Sequence, residues 1–149
     1  MLLSLKPTIK AGLNQKGMTL VEIMIVLAIL GSLATILITR VSAQYDKAQI
    51  RQAKIQIGEI KKNLEFFNAD CGFYPTTEQG LEALIEAPTN PSCDDWGPSP
   101  YIDKIPEDPW KSKYIYESDG GGSYVIITLG KDRREGGKGV NADISSDDL

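Results

Sequence analysis

Histidine is absent from the 149-residue sequence, which removes His-based catalytic triads and every His-containing zinc site. Cysteine is nearly absent: Cys71 and Cys93 are the only two, and they lack the C-x-x-C spacing of a redox motif. No acid occurs in residues 1–17, and no proline occurs between residues 18 and 73. The first absence leaves Lys6, Lys10 and Lys16 as an uncompensated basic head. The second removes the residue that most reliably ends a helix. Gly120-Gly121-Gly122 has no Walker lysine behind it and reads as a turn. Asp94-Asp95 and Asp147-Asp148 are pairs only in sequence, and an acid–base couple needs a cleft and a set separation. Catalysis has little to stand on, and the chain is expected not to be an enzyme.

What the sequence does have is one long apolar run. Residues 18–38 carry a single charged side chain, Glu22. As a helix this run would be about 31 Å long, enough to cross the hydrocarbon of a bilayer. A domain of the size left over could hardly enclose it. The lysines before the run place that end in the cytoplasm and everything after Arg40 outside. A conventional signal peptide is the rival reading. It fits less well, because only Ser42-Ala43 offers a weak cleavage site and the polar leader is long.

Charge is divided along the chain. Residues 18–70 carry a net +1 and residues 71–149 a net −8. An acidic outer domain argues against nucleic acid as a partner, which requires a positive footprint. Both cysteines fall in the outer region, where an oxidising compartment permits a disulfide; two free buried thiols are the alternative.

Beyond the span, Ala53, Ile57, Ile60, Leu64 and Phe67 recur at steps of four and three, and Val41, Tyr45 and Ala48 keep the same rhythm earlier. This stripe predicts one helix from about residue 18 to 69, packed on its own domain or, alternatively, in a coiled coil. Gly31 is its expected weak point. Asp70, Gly72 and Pro75 end it. Thr76 and Gln79 form a capping-box signature that predicts a short helix through Leu81, Leu84 and Ile85. Residues 88–109 are turn-rich, with Trp96 and Tyr101 as expected anchors. Residues 114–116 and 124–129 predict two strands joined across residues 118–122. The last twenty or so residues show no regular period.

The segment Gln15-Lys16-Gly17-Met18-Thr19-Leu20-Val21-Glu22 resembles the processing site of type IV prepilins and pseudopilins. That resemblance implies cleavage after Gly17 by a prepilin peptidase and methylation of the new Met18 amine; the family usually has Phe at that position. Glu22 also makes independent sense, since a carboxylate is expensive in hydrocarbon and marks function or a partner. Paired with the new amine, in its own chain or a neighbour, it would fix register during assembly.

Residues 74–84 (Tyr-Pro-Thr-Thr-Glu-Gln-Gly-Leu-Glu-Ala-Leu) and 106–110 (Pro-Glu-Asp-Pro-Trp) resemble the major pseudopilins of type II secretion systems. So do residues 129–132, 135–137 and 141–144. The implied architecture is α+β and pilin-like: a long N-terminal helix, membrane-spanning in its first half, packed on a small antiparallel sheet with a C-terminal loop. The implied division is a cleaved leader (1–17), a membrane and assembly half-helix (18–38) and a periplasmic domain (39–149). The implied partners are further copies in a helical filament, the prepilin peptidase, minor pseudopilins, the inner-membrane secretion platform and the inner membrane itself.

Asp132, Glu135, Asn141 and Asp143 supply hard oxygens in a glycine-rich loop that is not an EF-hand. By residue type alone, a calcium site and solvated acids are equally good readings. The resemblance implies calcium, held by the side chains of Asp132 and Asp143 and the carbonyl of Leu129. The family commonly has glycine after the first loop aspartate, where this chain has Arg133-Arg134. The Cys71–Cys93 pair is not a general family feature.

Overall fold

The computed structural model describes residues 17–149. Residues 1–16, and so nearly all of the expected leader, lie outside the described residues. Helix α1 runs over Leu20–Cys71, 52 residues without a break, and Gly31 does not interrupt it. The chain divides into two compact units, Met1–Arg40 and Val41–Leu149.

In the first unit the helix exposes its apolar side chains on all sides; Leu20, Leu27, Leu30 and Leu37 are each more than half exposed. By length and composition α1 can cross a membrane. Ser32 and Thr35 turn their hydroxyls back onto the carbonyls of Ile29 and Gly31, at 2.8 and 3.0 Å. Such bonds let a polar side chain sit in an apolar stretch without an unmet donor.

The second unit buries the predicted stripe. Ala53, Ile57, Ile60, Leu64 and Phe67 are each no more than 1% exposed. They pack with Leu81, Leu84, Trp110, Tyr114, Tyr116, Ile126 and Ile144 in one core. The stripe stops short of its expected beginning: Val41, Tyr45 and Ala48 are exposed. Tertiary ties along the helix come at Asp46, to Lys131, and at Gln49, to the carbonyl of Pro109. Periodicity marks a face, but burial begins only where the rest of the unit reaches it.

Strands β1 (Ile115–Ser118), β2 (Tyr124–Thr128) and β3 (Ile144–Ser145) form an antiparallel sheet in that order. The register pairs Tyr116 with Ile126 and Thr128 with Ile144. β3 was not expected. It has no period of its own and is defined by its partner β2 and by Ser146, whose hydroxyl accepts from the Ile126 N–H. In the β1–β2 turn, Asp119 accepts from Gly121 N, Ser123 N and Ser123 Oγ. These donors, Gly121 first, hold its carboxyl below the usual range.

The Thr76–Gln79 capping box is present in both directions, at 2.9 and 3.2 Å, but it closes a turn instead of opening an α-helix. Gly80, at φ 61°, breaks the path, and only a 3-10 turn over Leu81–Leu84 follows. Trp96 and Tyr101 anchor the turn-rich segment as expected. Trp96 Nε1 donates to the Ala83 carbonyl, Tyr101 Oη donates to Asp70 Oδ2 at 2.7 Å, and their rings meet edge to face. Cys71 and Cys93 are joined, closing a 22-residue separation onto the end of α1; loop-closure entropy gives such a link about 3 kcal/mol.

One buried carboxylate organises the outer unit. Asp108 is 2% exposed. Its Oδ1 accepts from Trp110 N (3.0 Å) and Ser112 N (2.7 Å), and its Oδ2 accepts from Thr128 Oγ1 (2.5 Å). A buried charge is tolerated when it is bonded in this way. The carboxylate thereby ties the turn before β1 to the end of β2.

Two predictions follow from this packing. Asp108→Ala strands three donors, two of them buried and one part-buried, at about 1–3 kcal/mol for each buried one and not additively. The expected loss is about 3 kcal/mol or more, read as a lower urea midpoint of the detergent-solubilised chain. Asp108→Asn, which keeps one acceptor, is expected to lose less. The second concerns alkali. Burial, followed by neighbouring groups, pushes Tyr116 and Tyr124 up to about 12. Burial, then Asp108 and Glu59, also raises Tyr114. The folded values exceed the unfolded value of about 10, so this stability is intact below pH ~10 and is lost as pH rises through 12. Phenolate absorbance from these tyrosines should appear together with unfolding, and a gradual rise in a still-folded chain would contradict it.

Candidate functional site

Two regions hold the residues singled out from sequence. At the N-terminal end, Gly17 and Met18 are exposed and precede the helix, so the expected cleavage point lies in exposed chain ahead of α1. Glu22 sits in the first turn of α1. Its Oε2 accepts from the Thr19 N–H and its own N–H donates to Thr19 Oγ1, both at 3.3 Å. This is a reciprocal capping box, and it satisfies two of the donors that a helix start leaves open. The signal was the T-x-x-E of residues 19–22, overlooked because the carboxylate was read only against the membrane. An acid at this end also complements the helix dipole.

The second region is the loop between β2 and β3. Its neck is a close crossing. A Cβ at Gly130, φ 66°, would lie 2.8 Å from the Val140 carbonyl oxygen and 2.9 Å from that of Ala142, so only glycine fits. Lys131 N donates to the Val140 carbonyl at 3.0 Å. Within the loop, Asp132 Oδ1 accepts from Arg134 N at 3.1 Å, and Asp143 Oδ2 accepts from Gly136 N at 2.8 Å. Lys131 pairs with Asp46 of α1 at 3.4 Å, an exposed contact of small energetic weight.

Asp132 and Asp143 thus shape the same loop, and Leu129 stands at its entry, directly before Gly130. Among the described residues no three His, Cys, Asp or Glu side chains converge as a metal cluster; Glu135 is exposed on the loop. A cation here would rely on carbonyl oxygens beside one or two carboxylates. One observation bears directly on that fit: Asp143 Oδ1 is buried with no hydrogen-bond donor. A carboxylate oxygen without a partner is costly, and a hard cation is a group that would offset it. An all-oxygen set of carbonyls and carboxylates is the chemistry calcium takes.

Two residues of this region escaped the sequence reading. Asp108 supports the loop from below: Thr128 Oγ1 donates to it and also lies 3.4 Å from Gly130 N. Arg133 donates from Nη2 to the carbonyl of Trp110 at 2.9 Å. Their links to the loop and to the core join residues about twenty positions apart, which no local pattern shows.

Comparison with known proteins places these features. Residues 40–147 match the sequence profile of type II secretion system (T2SS) protein G. Residues 12–38 match the prokaryotic N-terminal methylation motif. The chain is 41% identical to the type II secretion system core protein G of Vibrio cholerae, covering 89% of this chain and 92% of that protein. It is 41% identical to the Pseudomonas aeruginosa protein of the same name, with 89% and 95% covered. The crystal structure of the major pseudopilin from the type 2 secretion system of enterohaemorrhagic Escherichia coli superposes with a TM-score of 0.61 at 30% identity, over 71% of this chain and 92% of that one. The extent of these matches, across both the helix and the outer unit, establishes that the chain belongs to the type II secretion system protein G family.

Proposed function

We propose that this chain is the major pseudopilin of a type II secretion system, a structural subunit whose copies assemble into a periplasmic filament that drives export of folded proteins. The observation that carries this reading is the protein G match over residues 40–147, continued by the methylation motif over residues 12–38. The family is structural. The reading assigns the work to assembly and leaves the energy to an ATPase elsewhere in the machine.

The physical sequence begins with insertion. The first half of α1 anchors the precursor in the inner membrane as a single span, with residues 39–149 in the periplasm. The prepilin peptidase cuts after Gly17 and the Met18 amine is methylated. Glu22 then meets a new positive charge, its own or a neighbour's, and the pairing removes the cost of the carboxylate while setting subunit register. The helices pack as a bundle, and the acidic outer units face outward. Minor pseudopilins and the inner-membrane platform are the further partners.

Calcium belongs to the same proposal. The side chains of Asp132 and Asp143 and the carbonyl of Leu129 would hold it, and bound there it would neutralise the buried Asp143 oxygen and fix the loop. The protein's own part is to keep the loop neck closed at Gly130 and to turn Asp143 inward.

The extracellular proteome of a strain lacking the gene tests the main reading. Retention of a set of folded exoproteins in the periplasm, restored by complementation, is the expected outcome. An unchanged secretome would overturn it, and surface fibres lost instead would point to a type IV pilus. A chain that stays monomeric after processing would point to a tethered binding module. For the cation, calcium should raise the melting temperature of the wild-type chain by roughly 5–10 °C, since a ligand bound at ~100 times its Kd adds about 2.7 kcal/mol. Asp143→Ala should abolish that rise. An equal response of wild type and variant would remove Asp143 from the ligand set.

A further inference from the structure

Among the described residues, two that are not glycine have a left-handed backbone, Lys111 (φ 65°) and Arg133 (φ 59°). They stand at the two ends of one contact. Arg133 donates to the carbonyl of Trp110, and Lys111 follows that carbonyl directly. A left-handed backbone is unfavourable for any residue with a Cβ. The loop itself uses glycine at such places: Gly130, Gly136, Gly137 and Gly139 all have positive φ. Position 133 therefore holds arginine for its side chain and against its backbone preference.

What the side chain reaches is a densely hydrogen-bonded point of the outer unit. Trp110 is buried. Its N–H and that of Ser112 are held by Asp108, Asp108 N donates to the Ser112 carbonyl, and Lys111 N donates to the Asp108 carbonyl. The acceptor is thus fixed from both sides, whereas the donor comes from an exposed, glycine-rich segment. A guanidinium bonded to a carbonyl is charge-assisted and stronger than a neutral pair. Arg133 also lies inside the first internal closure of the loop, Asp132 with Arg134, and just ahead of the second, Gly136 with Asp143.

We propose that Arg133 is a latch: a positioning residue that closes the C-terminal loop onto the Asp108–Ser112 turn and orders Asp132 and Asp143 without help from a cation. The latch and a bound cation are separate supports of one closed state. The latch makes that closed state the resting one, so a cation finds its oxygens already assembled and does not have to order the segment itself.

The test is cleavage of the full-length, detergent-solubilised chain by a glutamyl endopeptidase, following the product that ends at the exposed Glu135. Cleavage in a loop reports the population of its open form when closing is fast. Wild type, Arg133→Gly and Arg133→Ala are compared in chelator and in calcium. Arg133→Gly removes the contact while suiting the backbone, and Arg133→Ala removes the contact and keeps the strain. In chelator the expected rates are about tenfold above wild type for Gly and higher for Ala. Equal rates for wild type and both variants would overturn the latch. So would Ala cleaved at the wild-type rate with Gly slower, the pattern of strain relief without a latch. Calcium slowing all three chains supports the calcium reading independently. Calcium slowing none, with the variants still fast, would leave the latch standing and remove the cation.

Discussion

One helix has to satisfy two solvents, and the rest of the molecule is arranged around that constraint. The first half of α1 is apolar on every side, as a segment must be when its surroundings are hydrocarbon. From Ala53 onward the same helix is apolar along a single stripe, as required when one face meets a protein core and the other meets water. The absence of proline from residues 18–73 lets the backbone continue through the change. Gly31 and Gly58 each cost some helix propensity, yet neither interrupts it. The outer unit then builds mainly on five fully buried stripe residues of the helix, with Ile50 and Cys71 packed beside them.

A core that small has to be closed by specific bonds. The disulfide pins the turn-rich segment to the end of the helix. Asp108 pins the turn before β1 to the end of β2, and from there its influence passes through Thr128 to the neck of the C-terminal loop. A hydrophobic residue at position 108 would bury as well but could not collect two backbone N–H groups and a hydroxyl. The carboxylate is worth its desolvation because each oxygen is occupied.

The parts legible in the sequence were those whose cause is local. The stripe from Ala53 to Phe67 has a helical period, and Trp96 and Tyr101 are large amphipathic rings in a turn-rich stretch; each landed as read. The Thr76–Gln79 box was legible as a box, but the helix expected behind it was not formed, because Gly80 takes a backbone that a helix cannot continue. β3 was invisible, since two residues carry no period and the strand exists through pairing with β2. Asp108 was visible only as part of the resembling segment 106–110, with nothing in the sequence to show its burial. At the candidate site, residue type marked Asp132, Glu135, Asn141 and Asp143 alike and only the family resemblance singled out Asp132 and Asp143, while the unmet buried oxygen on Asp143 and the reach of Arg133 are three-dimensional facts.

The capping role of Glu22 does not conflict with the assembly role proposed for it. Its capping partner is Thr19, which lies on the mature side of the Gly17–Met18 bond. Removal of a leader therefore leaves the capping box intact and adds an amine one residue before it. A carboxylate has two oxygens and about four acceptor sites; one N–H from Thr19 does not exhaust them. The ammonium of a processed chain can be bound while the helix start stays capped. The capping bond holds the carboxylate at the first turn, where the helix dipole already favours negative charge. A charge so placed is oriented before assembly begins, and a partner amine meets a fixed acceptor instead of a mobile one, which is what a register-setting contact requires.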